Sequence, residues 1–482
     1  MLAALAGRVV AGVGAVPMLV AALASAPLIA LLLARTPPGE GLGARGVPHV
    51  AVLITLTMVL GANLIVLGDF ARCFGLDRLH GIVAGVLLAL TVVASPAADR
   101  WWRFAMPVGA MLVLLPLGLV IGSAGSPWTV WANVAARPAL TFDADSAWIT
   151  DGRMFGERTI LTFQEAHRVV AAAPATWRVI ERDPPAIVVR EWRLGVGDAL
   201  TLRPGDQLAI TAGARVRFET GRRIPNTPAS GVAWADGRIG ATRVAPLAAL
   251  GAVVTLVGGA LALTSTRPSA RPHRWLTPVA APMVVLPFVL GAAAWGLYGI
   301  ALAPELAVVP LALAPLVEVT ARLHPASWRE PFAVVVVGGV IALFLGLALA
   351  WRLRLSELLH AGSATVRGGA PPSRAMAAGV TALTVALAAT LAVQGGDPWQ
   401  WFVWALGLAA SAAAAPRLAM AGPRGELVGA LMGGVAFGVL VITADFAPVE
   451  LRPFIEQPVV LAAPLGWVAA RLGRSRGRPV RA

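Results

Sequence analysis

Ala199-Leu200-Thr201-Leu202-Arg203-Pro204-Gly205-Asp206-Gln207-Leu208-Ala209-Ile210 places a Pro-Gly turn between two short runs of alternating side chains. Leu200 and Leu202 alternate with polar neighbours before the turn, and Leu208 and Ile210 resume the alternation after it. A period of two turns one face to a core and the other to water, so the pair reads as a half-buried β-hairpin. It lies in a polar block, from about Ser126 to Val244, that holds 12 of the chain's 25 acidic residues in 119 of its 482 positions. That block is expected to fold in water. The sequence on either side is expected to lie in lipid.

Other strands follow from the same reasoning. Trp177 to Glu181 and Ala186 to Leu194 are rich in β-branched and aromatic residues and are split by Asp183-Pro184-Pro185. Val216 and Phe218 alternate with Arg215, Arg217 and Glu219. Short strands with Pro-Gly and Gly-Asp turns predict a small sandwich or barrel. One helix is expected as well. Thr162 and Glu165 have the spacing of a capping box, Ala166, Val169, Val170 and Ala173 repeat at helical intervals, and Pro174 closes the segment.

The hairpin from Leu202 to Leu208, followed by Ala212-Gly213, resembles one found in cupins. The resemblance covers only these residues. It implies hairpin geometry and not metal chemistry, because cupins carry metal-binding histidines close by. This chain offers Arg215, Val216 and Arg217 on the corresponding strand, and His167 is the block's one histidine.

Over the whole chain, 57% hydrophobic content, 13% charged content and a mean hydropathy of +0.75 exclude a soluble globular chain. Apolar runs long enough to approach a bilayer span occur at about 9–34, 49–67, 80–97, 104–124, 245–264, 277–299, 303–321, 332–350, 375–394, 400–415, 425–443 and 457–470. Trp101, Trp102, Trp128, Trp131, Trp399, Trp401 and Trp404 cluster at run ends, where indoles favour the headgroup zone. The expected fold is therefore a polytopic α-helical membrane protein of eleven or twelve crossings with one inserted, mainly-β (α+β) soluble domain. The expected boundaries are 1–125 for a four-helix bundle, 126–244 for the soluble domain, 245–472 for a second bundle and 473–482 for a basic tail. The N-terminal run resembles a signal peptide, but Pro27 after Ala24-Ser25-Ala26 and the run's continuation to Leu33 predict a retained helix.

Every one of the 39 basic residues is arginine, in a composition dominated by Ala, Gly, Val, Leu, Pro and Arg that fits GC-rich bacterial coding. The arginines fall mostly in short breaks between apolar runs and in the tail. They predict orientation in the bilayer and not nucleic-acid binding. Arg471, Arg474, Arg476, Arg478 and Arg481 place the C-terminus in the cytoplasm. The breaks with Arg267, Arg271 and Arg274 and with Arg352, Arg354, Arg367 and Arg374 belong on that side too, yet three runs separate them. One run must fail to cross. The segment 303–321, with Pro304, Pro310, Pro315, Glu305 and Glu318, is the expected one. The soluble domain is then extracytoplasmic. Twelve full crossings, with that domain inside, are the competing arrangement.

Cys73 stands alone and excludes an internal disulfide or a thiolate-rich metal site. The six histidines are scattered without ligand spacing, and no nucleotide-binding, nucleophile-elbow or zinc-helix motif is present. No catalytic residue, cofactor or metal ligand is assigned. The candidate intramembrane polar site is Glu318 with Arg322 one helical turn on, and the candidate outer-interface cluster is Asp69, Arg72, Asp445 and Glu450. Gly425, Gly429 and Gly433 recur every fourth residue, a spacing that lets another helix approach closely. Three functions are compatible with this set. The first is a non-enzymatic scaffold of a cell-envelope assembly, in the bacterial inner membrane, that presents residues 126–244 to an envelope protein or glycan partner. The others are a secondary transporter using the broken run, and a membrane enzyme acting on lipid-linked glycans.

Overall fold

The computed structural model describes residues 47–73, 76–94, 98–142, 146–150, 159–183, 186–210, 214–225, 227–235, 277–308, 314–323, 326–366, 374–395, 398–419, 421–443 and 457–473. The apolar runs expected at 9–34 and 245–264 lie outside them. The described part of the chain is a helical bundle carrying one β domain.

Among the described residues, three helices precede the β domain: α1 (Val47–Cys73), α2 (Arg78–Ala94) and α3 (Ala98–Ala124). A short α4 (Pro127–Ala135) leads into it. Among the described residues, four helices are long and apolar enough to cross a membrane, with spans at Val50–Ala71, Pro107–Ala124, Ala377–Gln394 and Arg424–Thr443. Shorter apolar helices accompany them at Arg78–Val92, Leu290–Leu302, Val334–Leu349, Gln400–Ala414 and Val459–Leu472.

Among its described residues the β domain has eight strands: β1 (Ser146–Thr150), β2 (Thr159–Thr162), β3 (His167–Ala171), β4 (Ala175–Asp183), β5 (Ala186–Leu194), β6 (Ala199–Leu202), β7 (Gln207–Ile210) and β8 (Ala214–Phe218). They form two four-stranded sheets in the orders β1-β8-β3-β6 and β2-β7-β4-β5, and every pairing is antiparallel. This double-sheet strand order is that of a jelly roll. Its core draws Leu161, Val169, Trp177, Leu208 and Val216 from the facing sheets.

The helix expected after Thr162 is corrected by this topology. Thr162 ends β2 opposite Gln207, and His167 to Ala171 form β3, with His167, Val169 and Ala171 buried in alternation. The Glu165 carboxylate does not cap a helix; it accepts the backbone N–H of Arg223 at 2.6 Å. A distant backbone donor thus takes the group that the local spacing offered to a helix.

A short α5 (Gly231–Ala235) closes the described part of the β domain. The second bundle comprises α6 (Thr277–Leu302), a 3-10 turn (Pro304–Ala307), α7 (Ala314–Leu323), α8 (Ala326–Val366), α9 (Arg374–Gln394), α10 (Pro398–Ala409), a π turn (Ala410–Ala414), α11 (Ala415–Leu418), α12 (Gly422–Thr443) and α13 (Val459–Leu472).

Close approaches at glycine fix the helix directions. Gly81 abuts Leu67 while Gly85 abuts Leu64, so α1 and α2 are antiparallel. Gly109 abuts Leu343 and Gly339 abuts Val113, so α3 and α8 are antiparallel too. Gly291 abuts Leu114 and Tyr298 reaches Gly125, so α6 runs parallel to α3 and ends beside the β domain. The bundle therefore has a β-domain end and a far end. Because α6 arrives at the β-domain end and α8 departs from it, the segment 303–325 begins and ends at the same end. Within it, the 3-10 turn and the ten-residue α7 replace a continuous helix.

Candidate functional site

The chain passes from bundle to β domain with almost no spacer. Gly125, at φ 94°, ends α3, and the Ser126 hydroxyl caps α4 by accepting the Thr129 N–H at 3.2 Å. The Tyr298 hydroxyl of α6 donates to the Gly125 carbonyl at 2.6 Å, and Arg137 donates to the Ala301 carbonyl at 3.4 Å. Trp131 of α4 packs against Trp234 of α5 with ring centroids 5.1 Å apart. The Gly231 N–H donates to the Arg137 carbonyl at 2.8 Å, at a position where a Cβ would collide with the Val134 carbonyl. These contacts brace the jelly roll against the bundle. Trp128 stands 80% exposed at the rim of that joint.

Of the residues singled out from sequence, Asp69 sits near the C-terminus of α1, at the β-domain end. It pairs with Arg78 of α2 at 3.7 Å, and both side chains are largely buried. The Arg78 side chain lies over Gly68 with its Cγ and sets its guanidinium against Gly395, the residue after α9, so it joins two bundle corners. The Trp401 indole donates to the Gly395 carbonyl at 3.3 Å. Arg72 belongs to the last turn of α1, while Asp445 and Glu450 lie outside the described residues. Helix α12 ends at Thr443, at the same end of the bundle as Asp69.

Glu318 and Arg322 both lie on α7, within the segment that enters and leaves at the β-domain end, and Arg322 is exposed. Leu316, Val319 and Thr320 form the buried side of that helix.

The glycine series has the closest approaches. Gly429 meets the Gly466 carbonyl and Ala470 of α13 together with Pro416 of α11. Gly433 meets the Ser411 carbonyl of the π turn, and Gly466 meets that same carbonyl from α13. Gly425 lies beside Gly473 at the far end. Three backbones converge where a methyl group would not fit.

Inside the jelly roll, His167 is 1% exposed and neither ring nitrogen has a hydrogen-bond partner. Phe142, Phe163 and Phe218 surround it, with ring centroids 6.0, 5.4 and 5.7 Å from the imidazole. Burial lowers its pKa below the usual 6.5; the Glu165 and Glu219 carboxylates oppose the shift and Arg222 adds to it. Among the described residues no three His, Cys, Asp or Glu side chains gather as metal ligands. Sequence offered only a lone histidine here, because its three aromatic neighbours come from separate segments.

The outer edge of the second sheet exposes apolar side chains. Strands β4 and β5 pair over nine residues each, whereas β7 reaches only Arg178, Val179 and Ile180 of β4. Strand β5 is the last of its sheet, and its residues from Val188 to Arg193 are exposed. Val189 is 60% and Trp192 40% exposed, between the ion pairs Arg178–Glu191 at 3.2 Å and Arg190–Glu181 at 3.4 Å. Charges on an edge strand hinder indiscriminate strand pairing, while the exposed Trp and Val supply contact area. No protein-family model matches the chain, and no curated protein matches it either.

Proposed function

We propose that the chain is a non-enzymatic scaffold of a bacterial cell-envelope assembly, held in the inner membrane by eleven crossings. The jelly roll faces away from the cytoplasm and offers the β4–β5 edge to a protein or glycan partner. One observation carries this reading: arginines outnumber carboxylates at the far end of the bundle and not at the β-domain end. Helix ends at the far end flank Arg100 and Arg103, Arg352, Arg354, Arg367 and Arg374, Arg417 and Arg424, and Arg471 with the basic tail. Helix ends at the β-domain end flank Asp69, Asp77, Asp397, Asp445 and Glu450 with fewer arginines. Arginine-rich ends stay cytoplasmic, so this imbalance supports a jelly roll on the outside. The runs 9–34 and 245–264, taken as crossings, complete the count.

The orientation is tested with single cysteines. Cys73→Ala removes the one native thiol, and Arg190→Cys or Ser475→Cys then reports its side of the membrane. A membrane-impermeant maleimide applied to intact spheroplasts should label position 190 and leave 475 unlabelled. The reverse pattern ends the proposal. Partner binding is tested by purifying the full chain in mild detergent: companions should be lost with Trp192→Ala and Val189→Asp, and a chain that always elutes alone contradicts the scaffold role.

Secondary transport is the second reading, favoured by the broken segment that bears Glu318. Discontinuous helices with a carboxylate are the material of substrate and ion sites. Glu318→Gln should then abolish proton-coupled uptake by reconstituted vesicles, and unchanged uptake removes this reading.

A further inference from the structure

We infer that His167 is a pH-sensitive latch on the joint between jelly roll and bundle. In its neutral form it lets Glu165 hold the Arg223 amide, and its protonation draws Glu165 away and loosens the joint. This goes beyond the scaffold role, and it holds whichever side of the membrane the domain occupies.

The geometry begins with the aromatic cage. A neutral imidazole packs there as a fourth ring beside Phe142, Phe163 and Phe218, two of which stack at 4.9 Å. An imidazolium in the same place has two N–H donors and no acceptor, an arrangement that a buried site resists strongly.

The cage is continuous with the joint. Phe142 donates its N–H to the Arg222 carbonyl at 3.0 Å and accepts from Gly221 at 2.8 Å. Two residues earlier the Leu140 carbonyl accepts from Ile224 at 3.0 Å, and Arg137 completes the run with its contacts to Gly231 and Ala301. The 221–224 segment is held in turn by the Glu165 carboxylate on the Arg223 N–H. Glu165 is thus two residues from the cage histidine and bonded to the joint.

Among the charged groups around the ring, Glu165 is the one whose release reaches the joint, through the Arg223 amide. It exerts the strongest charge effect on His167, ahead of Glu219 and Arg222, which follow β8. Glu219 and Arg222 are exposed and paired with each other at 3.4 Å. Arg168 on β3 and Arg217 on β8 alternate outward and are exposed. On the β6–β7 turn, the Asp206 carboxylate is engaged by the Arg203 N–H at 2.7 Å. When the ring gains a proton, the Glu165 carboxylate pairs with it and the Arg223 amide loses its acceptor.

The sign is that of a buried neutral histidine. The native joint binds fewer protons than the opened one, so its stability is complete above about pH 6.5 and falls as the pH drops below that value. Hydrogen exchange on the full chain in lipid nanodiscs reads this directly, at pH 7.5 and 5.0 and corrected for the intrinsic pH dependence of exchange. The amides of Phe142, Gly221, Arg223 and Ile224 should exchange up to about thirtyfold faster at pH 5.0. His167→Phe fills the cage with a ring that cannot be protonated, and His167→Met fills it without a ring. In whichever of the two retains the native fold at pH 7.5, the acid response should vanish. An unchanged joint at pH 5.0 in the native chain overturns the inference, and so does an equal acceleration in a folded variant.

Discussion

The Tyr298 hydroxyl and the Gly125 carbonyl meet at 2.6 Å across 173 positions of sequence. The bond fastens the last turn of one bundle helix to the residue at which another gives way to the jelly roll. Removing the hydroxyl leaves that carbonyl without its side-chain donor. Tyr298→Phe should lower stability by about 1 kcal/mol, read as a lower thermal midpoint in detergent, with faster proteolysis near Gly125. An unshifted midpoint with unchanged proteolysis would show that the bond contributes nothing to the joint.

Gly433 and Gly438 lie on the same helix but in opposite circumstances. A Cβ at Gly433 collides with the Ser411 carbonyl, whereas one at Gly438 meets nothing within 4 Å. Gly433→Ala should therefore destabilise by about 1–3 kcal/mol through overpacking, and Gly438→Ala should be neutral or slightly stabilising. Thermal unfolding of both variants in one detergent gives the comparison, and equal midpoints would refute it.

Asp69 shields the buried Arg78 cation. Asp69→Asn should cost about 3 kcal/mol by leaving that charge without its counter-ion. The double variant Asp69→Asn with Arg78→Met should recover much of the loss, since neither charge then remains to be desolvated. A double variant less stable than the single one would mean that Arg78 is held mainly by its packing on Gly68 and Gly395.

The Asp206 side chain is 8% exposed and fixes the β6–β7 turn through the Arg203 amide. Asp206→Ala leaves that amide without its acceptor and should cost about 1–3 kcal/mol. The loss should appear as faster exchange at Arg203 and Gly205, the latter bonded to the Phe163 carbonyl at 2.8 Å. Native exchange rates at both amides would exclude this role.

The jelly roll's second half was readable because its strands alternate. Leu200, Leu202, Leu208, Val216 and Phe218 point inward, as their spacing requires. The first half was misread at Thr162 and Glu165, where a short-range capping signal competed with strand pairing to Gln207 and with the amide of Arg223. Sequence marked the charged corner at Asp69 but not its organisation. Arg78 is completed by Gly395, which belongs to a distant helix end and carries no chemical label. The cage around His167 was equally hidden, since periodicity ranks each phenylalanine as core and says nothing of their convergence. Gly429 and Gly433 were legible as an approach surface, but sequence did not identify Ser411 and Gly466 as what approaches.

The π turn at Ala410–Ala414 inserts the equivalent of one extra residue into the ladder, which shifts the downstream helix by about 100° in phase. Before the turn, the Ala405 carbonyl serves Thr55 of α1 and Gly407 abuts Phe437 of α12; within it Ser411 faces Gly433, and after it Pro416 faces Gly429. Above the turn the rod bonds α1 and packs on α12 together, and its lower half presents Pro416 to the glycine face of α12. Deleting one alanine from 412–414 would restore a uniform winding and turn the lower half away from its glycine neighbours.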